Sequence, residues 1–188
     1  MFKLSPTGTE TVLYTFTGGA DGGPFPSGLV QDAAGNLYGT TYTGGERGDC
    51  AYGACGVVFE LIRCDSAPTG YDYKVLYTFT GGADGANPYA SLVRDTAGNL
   101  YGTTYKGGVE GCKEQPDCGV VFKLSPSGTA TVLHSFTGGA DGANPQSGLT
   151  LDAAGNLYGV TPDGGAYPSA CGFGCGVVFR LALDVNDE

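Results

Sequence analysis

The sequence is poor in positive charge: nine lysines and arginines stand against nineteen aspartates and glutamates, a formal net charge of −10. The basic residues are scattered, whereas a phosphate backbone is held by clustered Lys and Arg, so nucleic acid is not an expected partner. Cations, neutral sugars and proteins all remain compatible with the charge. No apolar run approaches the roughly 20 residues of a membrane-spanning helix, so no membrane insertion is expected. The opening "MFKLSPTGTE" has no apolar signal-peptide core, and the chain reads as carrying neither an anchor nor an export signal. Nucleophile elbows, phosphate loops, dinucleotide fingerprints and zinc-peptidase motifs are missing too, which lowers the case for an enzyme without removing it.

Glycine is abundant, at 35 residues. Tyrosine, phenylalanine, valine and leucine recur in short runs between the glycines, so the composition is that of a folded, mostly β chain rather than a flexible linker. The length suits one domain. "DAAGNLYGTTYTGG" begins at Asp32, "DTAGNLYGTTYKGG" at Asp95 and "DAAGNLYGVTPDGG" at Asp152. Equivalent valines of "TVLYTF", "KVLYTF" and "TVLHSF" fall at Val12, Val75 and Val132, 63 and 57 positions apart. Residues 1–188 thus read as a single repeat domain, with repeats at 12–74, 75–131 and 132–188.

Each repeat reads as four strands: "GLVQD", "NLYGTT", "GVVFEL" and "TVLYTF" or their equivalents. Alternation puts Val57, Phe59 and Leu61 on one face and Val58 and Glu60 on the other. Glu60 becomes Lys123 and Arg180 in later repeats, as a solvent-facing position would. Four short antiparallel strands at this period indicate an all-β β-propeller built from three four-stranded blades, since one blade alone cannot bury both its faces. In "DAAGN" the Gly35-Asn36 pair suits a turn needing positive φ, and the Asp32 carboxylate can accept its amides. Asp32, Asp95 and Asp152 are therefore expected to be turn clamps rather than catalytic acids.

The combination "GNLYGTT", "GG", "GVVF" and "VLYTFTGGADGANP" resembles the GloVer-type tandem-repeat family of bacterial cell-surface proteins over nearly the whole chain. The resemblance implies a propeller-like repeat in exported proteins, an extracellular or cell-surface setting, and no catalytic residues to carry over. The cysteine-bearing loops depart from the pattern.

"MFKLSPTGTETVLYTF" matches "VFKLSPSGTATVLHSF", so residues 1–16 read as supplying a closing strand, while the third repeat stops after its third strand. Three blades are too few for a comfortable ring, since propellers typically carry about four to eight. The expectation is a homodimer, in which two half-propellers exchange N-terminal strands to complete six blades. A piece of a longer array and a head-to-tail filament are the competing readings.

Six of the seven cysteines form local pairs, Cys50/Cys55, Cys112/Cys118 and Cys171/Cys175, each in the loop between second and third strands. Pairing within each loop is the expectation, and it suggests an oxidising compartment. Two cysteines per loop and one histidine in the chain do not make a local zinc site, so no metal ligands are assigned. Cys64 is left over, in an insertion of the first repeat. These loops share a rim with the "TGGADGANP" crossovers, and the tight turns take the other rim.

Ligand candidates are drawn from that long-loop rim. Tyr42 and Tyr105, where strand two meets the loop, are placed to stack on a sugar. Asp21, Asp84 and Asp141, with Asn87 and Asn144, offer oxygen ligands for calcium or, more simply, shape the crossover; beyond calcium no cofactor is expected. Glu46, Arg47, Glu114, Asp163 and Tyr167 break the repeat symmetry in the cysteine loops, where paired carboxylates could serve a glycosidase. His134 stands where Tyr14 and Tyr77 do, and reads as a packing residue with a polar tip. The leading expectation is a non-catalytic module binding a glycan or a protein. The alternative is a carbohydrate-active hydrolase or lyase, or a lactonase.

Overall fold

A computed structural model describes residues 1–45, 50, 54–108, 112, 118–166, 172 and 174–183. Among these there are thirteen strands and no helix. An N-terminal hairpin pairs β1 (Phe2–Leu4) with β2 (Glu10–Val12). The first sheet is an antiparallel meander of β3 (Val30–Gln31), β4 (Leu37–Thr41), β5 (Val57–Arg63) and β6 (Tyr71–Thr78). The second repeats it with β7 (Val93–Arg94), β8 (Leu100–Thr104), β9 (Val120–Leu124) and β10 (Ala130–Ser135). The third has three strands, β11 (Thr150–Leu151), β12 (Asn156–Thr161) and β13 (Val177–Ala182).

Register repeats with the sequence. Gly39 pairs with Phe59, Gly102 with Phe122 and Gly159 with Phe179. The glycine of "NLYG" is where the phenylalanine ring lies down: a Cβ on Gly102 would sit 2.7 Å from the Phe122 ring. The hairpin keeps the same register, Phe2 facing Val12 as Phe122 faces Val132.

The core lies between sheets rather than within any one of them. Tyr38 and Val58 of the first sheet, with Phe79 just beyond its last strand, cluster with Leu92, Leu100, Phe122 and Leu124 at the second. Tyr101 and Val121 of the second sheet, with Phe136 just beyond its last strand, cluster with Leu149, Leu157, Phe179 and Leu181 at the third. One aromatic contact is stamped three times: Phe16 meets Phe59 edge-on at 5.4 Å, Phe79 meets Phe122 at 5.1 Å and Phe136 meets Phe179 at 5.2 Å. Such a pair adds about 0.5–1.5 kcal/mol beyond the area it buries.

This stacking corrects one sequence expectation. Val57, Phe59 and Leu61 do share a face, but Val58, on the other, is fully buried because the second sheet covers it. Glu60 is half-buried and lines a cavity of about 400 Å³ between the two sheets, with Lys74 and Arg94. The equivalent of Val58 in the second sheet, Val121, is also fully buried, whereas Val178 in the third is 80% exposed.

Candidate binding rim

Each sheet has one rim of tight turns and one of long connections. On the tight-turn rim, Asp32 Oδ1 accepts the amides of Ala34 and Asn36 at 2.9 Å, and Oδ2 accepts Asn36 Nδ2 and the Tyr38 hydroxyl at 3.0 Å. Gly35 supplies the left-handed residue, at φ 90°. Asp95 and Asp152 take the same donors from Asn99 and Tyr101, and from Asn156 and Tyr158. Burial opposes ionisation of Asp32 and Asp95, but these donors outweigh it and hold both carboxyls below the usual range. Burial, then the Asp95 bond, pushes the Tyr101 phenol up to about 12. These aspartates are clamps.

A second clamp closes each crossover on the long-connection rim. Asp21 accepts the Thr17 amide and hydroxyl and the Tyr14 hydroxyl; Asp84 does the same with Thr80 and Tyr77. In the third repeat His134 Nε2 lies 3.1 Å from Asp141, which also accepts Thr137. Both oxygens of each carboxylate are therefore engaged. Among the described residues no group of three or more His, Cys, Asp or Glu is placed to hold a metal ion.

Asn87 and Asn144 lie inward. They are 3% and 1% exposed, take φ of 56° and 53°, and donate their side-chain amides to the carbonyls of Tyr42 and Tyr105 at 2.9 Å. Each asparagine so ties its crossover to the preceding sheet. Its backbone amide adds a bond to the Cys55 or Cys118 carbonyl. The glycines explain the tightness: a Cβ on Gly107 would lie 2.5 Å from the Gly85 backbone.

Two cystines stiffen the same rim. Cys50–Cys55 and Cys112–Cys118 have Cα separations of 5.3 and 5.7 Å, and Cys55 and Cys118 are fully buried. Cys175 is disulfide-bonded, while Cys171 lies outside the described residues. Cys64 is a free thiol. Glu46, Arg47, Glu114 and Tyr167 also fall outside the described residues. Asp163 is half-buried, and its backbone carbonyl accepts the Thr161 hydroxyl and the Ala143 amide.

Tyr42 and Tyr105 are half-buried at equivalent places on the rim. Around Tyr42 the structure adds two aromatics that sequence reasoning passed over. Phe25 is 71% exposed, with its ring centroid 6.4 Å from that of Tyr42; Tyr89, 54% exposed, lies 5.8 Å away on the crossover into the second sheet. Phe25 has φ 64° and accepts the Tyr42 amide, as Asn87 accepts that of Tyr105. The change from "DGANP" to "DGGPF" was the available signal.

An X-ray structure of a protein provisionally named a gluconolactonase shares this fold, with a TM-score of 0.54 at 16% identity. The match covers all of this chain and 53% of the other, so the chain spans about half the length of that relative. A search of the curated proteins finds no match. The repeat itself is recognised: the Gloeobacter/Verrucomicrobia repeat model matches residues 1–187, and the chain belongs to that family.

Proposed function

We propose that the chain is a binding module that takes a glycan or a protein on its long-connection rim. The observation that carries this reading is the division between rims: aspartate-clamped turns fill one, while cystine loops, crossovers, Tyr42 and Tyr105 gather on the other. Rigid sheets presenting loops at one edge are a common platform for recognition. The cystines support an extracellular or cell-surface setting. No helix of the described chain is long and apolar enough to cross a membrane.

The test is a glycan array probed with the intact chain, followed by lysine substitutions at Ala34 and Ala154 on the turn rim and alanine at Tyr42 and Tyr105. Binding that survives the first pair and is lost with the second supports the rim. The reverse pattern refutes it.

The sheets belong, in this reading, to a β-propeller that a second chain completes to six blades. Support comes from the half-length match to the solved relative and from the uncovered Val178 face. Light scattering on the purified chain should give twice the chain mass; a monomer would refute the dimer. The likeness to a provisionally named gluconolactonase favours one alternative, a lactonase or carbohydrate-active enzyme, with calcium as its candidate ion. Turnover of a lactone or glycoside that a chelator abolishes would select that reading.

A further inference from the structure

We infer that Phe25, Tyr42 and Tyr89 form a subsite for the C–H face of a neutral pyranose, a refinement that rests on the rim reading above. Phe25 and Tyr89 both stand nearly perpendicular to the Tyr42 ring, at 86° and 88°, so the three make a walled aromatic corner across the first and second sheets.

Three features set this corner apart from ordinary packing. Between the packed sheets the phenylalanines turn inward, with Phe59, Phe79, Phe122 and Phe136 all under 2% exposed, and among the described residues only the N-terminal hairpin leaves another ring in solvent, Phe2 at 62%; Phe25 and Tyr89 stand in solvent on the crossovers. Phe25 also holds a left-handed backbone, a conformation that asparagine tolerates at Asn87 and Asn144 and that a bulky residue resists. Each crossover takes that conformation, but nothing in the repeat calls for an exposed aromatic there. Finally, the corner breaks the repeat. Around Tyr105, Asn87 takes the place of Phe25 and Gln146 that of Tyr89, so among the described residues Tyr105 meets no matching aromatic pair.

The chemistry names the occupant. Aromatic walls attract the polarised C–H bonds of a sugar ring, and the Tyr89 hydroxyl offers a donor at the edge. The chain's charge of −10 disfavours uronates and sulfated sugars and leaves neutral hexopyranoses. A β-linked oligosaccharide fits best, because equatorial linkages keep one C–H face open along the chain.

The test is ligand-observed NMR and calorimetry on the intact chain with cellotriose, with maltotriose as linkage control and a trigalacturonate as charge control. Phe25→Gly keeps the backbone conformation and removes the ring. Tyr89→Gln installs the third repeat's residue. Both variants should unfold at the parent's denaturant midpoint or above, and each should weaken cellotriose binding at least tenfold. Ala154→Lys, on the opposite turn rim, should leave it within twofold. No saturable cellotriose binding, or equal binding by both variants, overturns the subsite. Loss with Tyr105→Ala alone would overturn the corner while keeping the rim, and a rim that binds only a protein would do the same.

Discussion

Asn87 donates its side-chain amide to the Tyr42 carbonyl at 2.9 Å, and Asn144 makes the same bond to Tyr105 one repeat later. Each bond joins a crossover to the sheet before it, so the asparagine holds two sheets together and sets the height of the rim. It does so from a left-handed backbone that glycine would also accept.

Those two roles separate by substitution. Asn87→Gly removes the buried bond alone and should lower stability by about 1–2 kcal/mol. Asn87→Ala adds the left-handed strain and should lower it by about 2–4 kcal/mol. Urea unfolding of the two variants gives the comparison; equal losses would mean that the backbone conformation is not held as described.

Gly102 and Gly155 make a second contrast. A Cβ on Gly102 would meet the Phe122 ring at 2.7 Å and Leu92 at 2.8 Å, whereas Gly155 has φ 84° and nothing within 4 Å. Gly102→Ala should therefore destabilise by about 1–3 kcal/mol through overpacking. Shrinking the ring with Phe122→Leu should recover part of that loss. Gly155→Ala should cost about 1–2 kcal/mol through its backbone, with no rescue from a neighbour. A double-mutant cycle in chemical denaturation reads the coupling.

Sequence reasoning reached the repeat, the strands and the turn clamps because each is local. Period-two alternation defines a face, and "DAAGN" contains both the acceptor and the glycine its turn needs. It misplaced Glu60 because alternation says which residues share a face, not what covers that face. Val58 and Val178 carry the same local pattern at 0% and 80% exposure, and only the neighbouring sheet differs. Phe25 was missed for a related reason. Its left-handed φ comes from the hydrogen bond to Tyr42 across the rim, and nothing in "GGPFPSG" taken alone requires it.

The clamps set an acid limit. Asp21, Asp32, Asp95, Asp141 and Asp152 all have carboxyls held below their ordinary value: donors outweigh burial in the first four, and the Asn156 side chain leads at Asp152. The unfolded chain binds protons more readily at these sites, so the stabilisation is complete above the ordinary aspartate pKa. It is lost as pH falls through the lower folded values. Thermal melts should be flat from pH 7 to 5 and then fall steeply toward pH 2. Asp95→Asn should be less stable at pH 7 and show a shallower acid limb; an unchanged limb would remove Asp95 from the set.

Tyrosine gives the opposite limit. Burial, then the bond to Asp21 or Asp84, pushes the phenols of Tyr14 and Tyr77 up to about 12. Their stabilisation is full below the ordinary tyrosine pKa and is lost as pH rises from there through the folded value of about 12. Tyr77→Phe should lose the bond at neutral pH, about 1 kcal/mol, and flatten the alkaline decline above pH 10.

Val58, Val121 and Val178 occupy one position in three sheets and test how stacking stabilises the chain. Burying an unpaired carboxylate between packed sheets is prohibitive, so Val58→Asp and Val121→Asp should abolish cooperative unfolding. Val178→Asp, at an exposed position, should leave the midpoint within about 0.5 kcal/mol in the monomeric state. The same variant probes the proposed second chain, because a copy seated on this face would bury the new charge. If light scattering shows the parent as a dimer, Val178→Asp should return it to a monomer whose circular dichroism is unchanged. A dimer that tolerates the aspartate would place its interface elsewhere and leave the third sheet's face outside the contact.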